Sequence, residues 1–331
     1  MNKKLIAVAV ASTLVAPAVY ADITPYGRIN NAIDFKDSDN TTGSTVDVSS
    51  VASRFGFKGS ADIGNGLTAI GRYEFATVTD KEQPNPADLR LGYVGVSGGF
   101  GSVTIGNQWS AYFNHFGTLA SPTYSLGYLL YSSFAGGPFR TSNTIKYSNS
   151  FGPVSMDFDV RLNDSEEGND VAEKLNGNGY GLGLTFAATE AISLALSLDS
   201  EENPDVTDEE TGAVTFGEDT DRVGIAGKMD FGIVNATLAW QTWEQGTDEI
   251  DHLQLYVGGA VGEKSSWLVG FGTAEKNSGG SAATEPDSAF LGFYHNMGGG
   301  LRLYVEATSV DFDEGDSGDF TQTLLGMRFD F

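Results

Sequence analysis

Apolar and polar residues alternate with a period of two along segments that recur from one end of this chain to the other. Side chains two apart on a β-strand share a face, so each such segment carries one apolar and one polar side. In "VSMDFDVRLN", Val154, Met156, Phe158, Val160 and Leu162 oppose Ser155, Asp157, Asp159, Arg161 and Asn163. In "AISLALSLDS", Ile192, Leu194, Leu196 and Leu198 oppose Ser193, Ala195, Ser197 and Asp199. "LRLYVEAT" sets Leu301, Leu303 and Val305 against Arg302, Tyr304 and Glu306, and the chain stops on "LGMRFDF", with Leu325, Met327, Phe329 and Phe331 on one side. Each run is near the ~10 residues that a tilted membrane strand requires, and about sixteen can be placed, an even number as in bacterial barrels.

The first residues, MNKKLIAVAVASTLVAPAVYA, have a basic start, a short apolar stretch and a small-residue site ending at Ala21. They read as a cleaved signal peptide over 1–21, leaving 22–331 as one barrel domain. Elsewhere no run approaches the roughly 18 apolar residues of a membrane-spanning helix. With 44 acidic against 19 basic residues and a net charge of −25, the chain is not built for nucleic acid, which demands clustered Lys and Arg. The absence of cysteine excludes disulfides and thiolate metal sites. A hydrophobic share of 40% and 43 glycines are not those of a disordered acidic chain.

The predicted connections decide between a soluble sandwich and a membrane barrel. Short glycine-rich turns at 61–66, 97–101, 150–153, 188–191, 230–232, 261–265 and 296–300 alternate with longer, mostly acidic stretches. Those lie at 36–47, 79–88, 164–177, 200–220, 244–251, 275–287 and 311–319. Short turns at one end and long loops at the other are the pattern of outer-membrane barrels, whereas Greek-key crossings mix loop lengths. Charges such as Arg28, Arg54, Lys58, Arg72, Glu74, Asp157 and Glu306 fall on the polar faces. A wet lumen inside an apolar outer band accommodates them. The expected fold is all-β, a transmembrane antiparallel barrel.

"PYGRIN" at 25–30, "SRFGFKGSADIGNGL" at 53–67, "GYVGVSGGFGSVTIGNQ" at 92–108 and the terminal Phe331 together resemble the Gram-negative general porins, over essentially the whole chain after residue 21. The resemblance implies an outer-membrane homotrimer forming a water-filled diffusion channel for ions and small hydrophilic solutes. It implies outer-membrane lipids and lipopolysaccharide as surroundings, no cofactor and no metal, and Phe331 as the signal read by the barrel-assembly machinery. It further implies that loop 3, after the fifth strand, folds into the lumen as an eyelet. Its matching residues are Tyr112, Phe113, His115, Phe116, Tyr124, Tyr128, Tyr131 and Phe134. Arg28, Arg54 and Arg140 match a constriction ladder of basic residues, with Asn107 where a further arginine is usual. Lys58, Arg72, Arg90 and Glu74 are further lumen candidates. Early strands such as "YVGVSGGFGSV", poor in large outward residues, suit a wall packed against neighbouring subunits, and 79–88 resembles the segment that latches onto the next subunit.

One departure matters for function. No Asp or Glu occurs between Asp88 and Asp157, so loop 3 lacks the acids that would oppose the ladder, and a more positive eyelet beneath an acidic vestibule is expected. Three other readings were open to the residues. The loop-3 aromatics could form a stacking track for sugars, making a substrate-specific porin, although packing of an inward loop accounts for them better. His115, His252 and His295 stand far apart without a nucleophile motif, which argues against a hydrolase. A plugged structural barrel fits poorly, since about sixteen strands leave room for water. The acidic stretches "DSEEGND" and "DFDEGDSGD" lack a calcium-loop pattern, with Gly315 at a ligand position.

Overall fold

The computed structural model describes residues 21–38, 43–81, 87–126, 138–162, 178–202, 206–207, 214–215, 217–277, 286–312 and 318–331. The proposed signal peptide up to residue 20, Tyr128, Tyr131, Phe134 and much of the long acidic stretches lie outside them. The strands are β1 (Asp22–Ser38), β2 (Thr45–Ser50 continuing as Arg54–Gly64), β3 (Leu67–Thr77), β4 (Ala87–Gly98) and β5 (Gly101–Trp109). Next come β6 (Arg140–Phe151), β7 (Val154–Arg161), β8 (Gly179–Ala187), β9 (Ile192–Glu201), β10 (Thr220–Asp230) and β11 (Val234–Gln245). The last are β12 (Asp248–Val261), β13 (Ser265–Asn277), β14 (Asp287–Gly298), β15 (Leu301–Asp311) and β16 (Phe320–Asp330).

Each strand pairs antiparallel with its sequence neighbours, and β1 also pairs with β16 from Arg28↔Asp330 to Ser38↔Phe320. The sheet is therefore a closed sixteen-stranded barrel. Closure uses the last residue itself: Gly27 N–H donates to the Phe331 carbonyl at 2.8 Å, and Phe331 N–H donates back at 3.0 Å. The Phe331 ring rests on Gly27, where a Cβ would come within 2.4 Å of it.

Alternation maps onto the two sides of the wall as the pattern requires. Ile29, Ile33, Phe55, Leu194, Leu255, Phe271, Leu291 and Met327 are exposed, while Glu74, Asp159, Asp199, Gln241 and Glu306 are buried on the other face. An apolar belt around the whole outer circumference is stable only in apolar surroundings.

Among the breaks in register, two adjoin tight turns, at Asp62/Gly64 and Asn296/Gly298, and three others bear on the polar face. Between β1 and β2 the pairing changes from Asn31↔Ser50 to Arg28↔Arg54, so Val51, Ala52 and Ser53 span two residues of β1. Ala52 takes φ 52°, and the Ser53 hydroxyl accepts from Asn30 N–H at 3.0 Å. As a result the outward residues are even-numbered before the break (Val46, Val48) and odd-numbered after it (Phe55, Phe57). Arg90 is the extra residue of a second break, between Glu74↔Leu91 and Phe75↔Leu89. A third lies between Gly106↔Thr144 and Gln108↔Thr141, with Asn143 at φ 48°.

One expectation is corrected. The stretch 244–251 is not a long loop: β11 runs to Gln245 and β12 starts at Asp248, joined through Gly246 at φ 59°. The strands here extend past the apolar belt, where both faces are polar and composition no longer separates strand from loop.

Burying a cation in the outer belt tests this assignment of faces. Leu255→Arg, at the middle of β12, is expected to cost about 2–4 kcal/mol in urea unfolding from lipid vesicles, whereas Gln254→Arg, on the opposite face, is expected to cost less.

Candidate functional site

Two carboxylates on the polar face each gather three arginines. Around Glu74, itself 1% exposed, stand Arg72 and Arg90 at 2.8 Å and Arg54 at 3.6 Å. Tyr26 also donates to Glu74, at 3.0 Å. Around Asp330 stand Arg28 and Arg328 at 2.8 Å and Arg302 at 3.2 Å. Arg140, the first residue of β6, lies over the Trp109 ring at 5.4 Å, and Arg90 lies over the same ring at 5.9 Å. Arg72 similarly covers Tyr26, and Arg328 covers Tyr124. Aromatic faces orient these guanidinium groups while leaving their N–H edges available.

The structure thus brings the three predicted ladder residues into one neighbourhood with Arg72, Arg90 and Glu74. Lys58 lies on the same face, directly across from Arg72, with no ion pair among the described residues. Sequence reasoning missed Arg328 and Asp330 as site residues. They come next to Arg28 only through the β1–β16 seam, a pairing some 300 residues apart that no local pattern announces.

A second group of charges stands about half a barrel turn away, on β6 to β10. Arg161 binds Asp199 at 2.7 Å, and Arg222 binds Asp199 at 2.6 Å, with Glu201 next to both. Lys146 donates to the Trp109 carbonyl at 2.9 Å.

Residues 110–126 form a π-helical turn over Phe113–Gly117 and an α-turn over Thr118–Ala120. Tyr112 and Phe116 are fully buried against Ala195, Ala226 and Ala239, which are register neighbours on β9, β10 and β11. Gly224 completes this platform: a Cβ there would come within 2.6 Å of the Phe116 ring. The Tyr112 hydroxyl donates to Gln241 at 3.3 Å, and burial pushes its pKa up, keeping it a donor. His115 contacts Thr185 at 2.7 Å and lies 3.7 Å from Asp157. Phe113 stacks on Trp109 at 4.7 Å and meets Phe139 at a tilt, at 4.9 Å. Tyr124 contacts Tyr294 and Tyr304.

This uncharged segment is fastened by carboxylates belonging to the wall. Asp159 accepts from Ala111 N–H at 2.5 Å, and Asp157 accepts from the Asn114 amide at 2.6 Å. Glu306 accepts the backbone N–H groups of Tyr124, Ser125 and Leu126 at 2.6, 2.9 and 2.9 Å, and the Tyr294 hydroxyl at 2.8 Å.

The chain matches the family profile of the Gram-negative porins over residues 7–315. It belongs to that family. Its membership locates this porin in the outer membrane of Gram-negative bacteria. The porin is 32% identical over 174 residues to major outer membrane protein P.IB of Neisseria meningitidis serogroup A, covering 45% of this chain and 50% of that one. It is 25% identical over 248 residues to outer membrane protein F of Serratia marcescens, covering 70% and 64%. The chain thus spans half to two thirds of the length of these relatives. Among solved structures, the anion-selective porin from Comamonas acidovorans superposes with a TM-score of 0.76 at 16% identity, over 94% of this chain and 100% of that one. Salmonella typhi OmpF in complex with daunomycin gives 0.77 at 16%, over 93% and 97%. At such identities the likeness is one of fold.

Glu306→Ala removes the acceptor of three backbone amides and one hydroxyl, and a donor left buried and unpaired costs roughly 1–3 kcal/mol. Hydrogen exchange at residues 124–126 is expected to accelerate at least tenfold in this variant, while the amides of β15 and β16 keep their protection.

Proposed function

We propose that this porin is a passive aqueous channel for ions and small hydrophilic solutes, that it catalyses no reaction, and that it favours anions. The observation that carries the anion preference is the balance on one wall. Arg28, Arg54, Arg72, Arg90, Arg302 and Arg328 share two carboxylates, Glu74 and Asp330, and Arg140 stands beside Arg90 over the Trp109 ring. Residues 110–126 narrow the lumen and bring no acid of their own. Asp157, Asp159 and Glu306 are occupied in holding that segment, so they oppose the arginines weakly. Charges at a constriction act at close range, while those of the vestibule are screened within about 10 Å at 0.1 M salt. The fold likeness to a porin described as anion-selective agrees with this reading.

A sugar track is not favoured. Tyr112 and Phe116 are buried in packing, and the faces of Phe113 and Tyr124 are taken up by other rings and by Arg328. The working unit is a homotrimer associating through the early strands, where Gly59, Gly71 and Gly92 leave little side chain on the outer wall. Export by a signal peptide over 1–21 and recognition of Phe331 by the assembly machinery complete the proposal.

Single-channel recording in a planar bilayer under a potassium chloride gradient tests it. An anion-favouring reversal potential is expected, moving further toward chloride in Glu74→Gln and toward potassium in Arg54→Gln. A cation-favouring potential in the unaltered protein overturns the anion preference, and the absence of conductance overturns the channel.

A further inference from the structure

Like charges directly opposite one another in a ladder destabilise a sheet, yet this barrel places cations in register three times on its polar face: Arg28↔Arg54, Lys58↔Arg72 and Arg302↔Arg328. Arg302 and Arg328 share Asp330, and Arg72 binds Glu74 at 2.8 Å. Arg28 and Arg54 share no carboxylate. Arg28 spends its Nε on Asp330 at 2.8 Å. Arg54 reaches Glu74 at only 3.6 Å and makes no side-chain hydrogen bond among the described residues. Arg28, Arg90 and Arg328 all repel Arg54 electrostatically. Both side chains of the pair keep open edges, at 20% and 16% exposure.

A second observation at the same place points to a missing acceptor. Asn30 follows Arg28 on the polar face of β1 and stands across from Arg328. Its Oδ1 accepts from the Tyr304 hydroxyl at 2.9 Å. Its Nδ2, buried in a residue only 1% exposed, has no hydrogen-bond partner. A buried donor without an acceptor is costly, and here it neighbours guanidinium groups in excess of their counter-charges.

We infer that Arg28, Arg54, Arg328 and the Asn30 amide form a binding station for a small divalent oxyanion, such as sulfate or hydrogen phosphate, at the junction of β2, β1 and β16. The inference deepens the anion-channel reading and rests on it for access from solution. Guanidinium forks match the spaced oxygens of such anions in a way that a spherical halide cannot use. Two charges on the ligand offset the facing pair, where one would leave it half compensated. Solutes carrying such a group would dwell at this station during passage.

Calorimetric titration of sulfate into the folded protein in detergent micelles tests the station, with chloride at equal ionic strength as the competitor. One saturable sulfate per chain is expected. Arg54→Gln should weaken it about tenfold, a loss of ~1.4 kcal/mol, and Arg54→Lys, which keeps the charge but not the fork, should weaken it less. Asn30→Asp keeps an acceptor for Tyr304 while placing a carboxylate where the donor stood, and should abolish binding. Heat-modifiable gel mobility identifies any variant that has not folded. No saturable sulfate binding, or equal affinity in the Arg54→Gln and Asn30→Asp proteins, overturns the station. The same samples in planar bilayers separate the two claims. Chloride current without sulfate binding leaves a channel with no station, and sulfate binding without current leaves a station in a barrel that is not a channel.

Discussion

Everything in this barrel depends on one demand of its surroundings: within a membrane, each backbone N–H and C=O must find its partner in the protein. A flat sheet would leave two unpaired edges. Joining β1 to β16 removes both, and the join extends to the final residue through the two hydrogen bonds between Gly27 and Phe331. The same seam sets Arg28 opposite Asp330 and draws Arg302 and Arg328 to it. The electrostatic character of the wall is thus a product of ring closure as much as of composition.

Three departures from regular pairing stand where the charges and the inner segment are. Arg54 follows directly on the break at Val51–Ser53, and Arg90 is itself the inserted residue of another. The third break stands beside the point where residues 110–126 leave the wall. Bulges re-aim side chains at the expense of regular pairing, and here they pack guanidinium groups more densely round Glu74 than strict alternation would.

Much of this was legible in the sequence. The period of two, the export-like start and the terminal phenylalanine carried the barrel, its strand number and the direction of its faces. Arg28, Arg54, Arg72 and Glu74 could be named because each sits on the polar face of its strand, whereas Arg90 could be named as a lumen charge but not as the extra residue of a bulge. The limits were physical. A bulge reverses which parity faces out, so alternation read through Ala52 assigns one half of β2 to the wrong side. The Asp330 cluster depends on pairing between the two ends of the chain. The platform under Tyr112 and Phe116 depends on register, because Ala195, Ala226 and Ala239 are unremarkable until three strands bring them together. Acidity alone suggested a loop at 244–251, where the strands simply continue into water.

The carboxylates of Asp159 and Glu306 grip residues 111 and 124–126 by main-chain N–H groups. An attachment of that kind is indifferent to the side chains it holds. The acids that must stay fixed lie on strands, whereas positions such as Ser125 can change identity without loosening the grip. Evolution can therefore alter what this segment presents to a passing solute, residue by residue, without renegotiating where the segment is anchored.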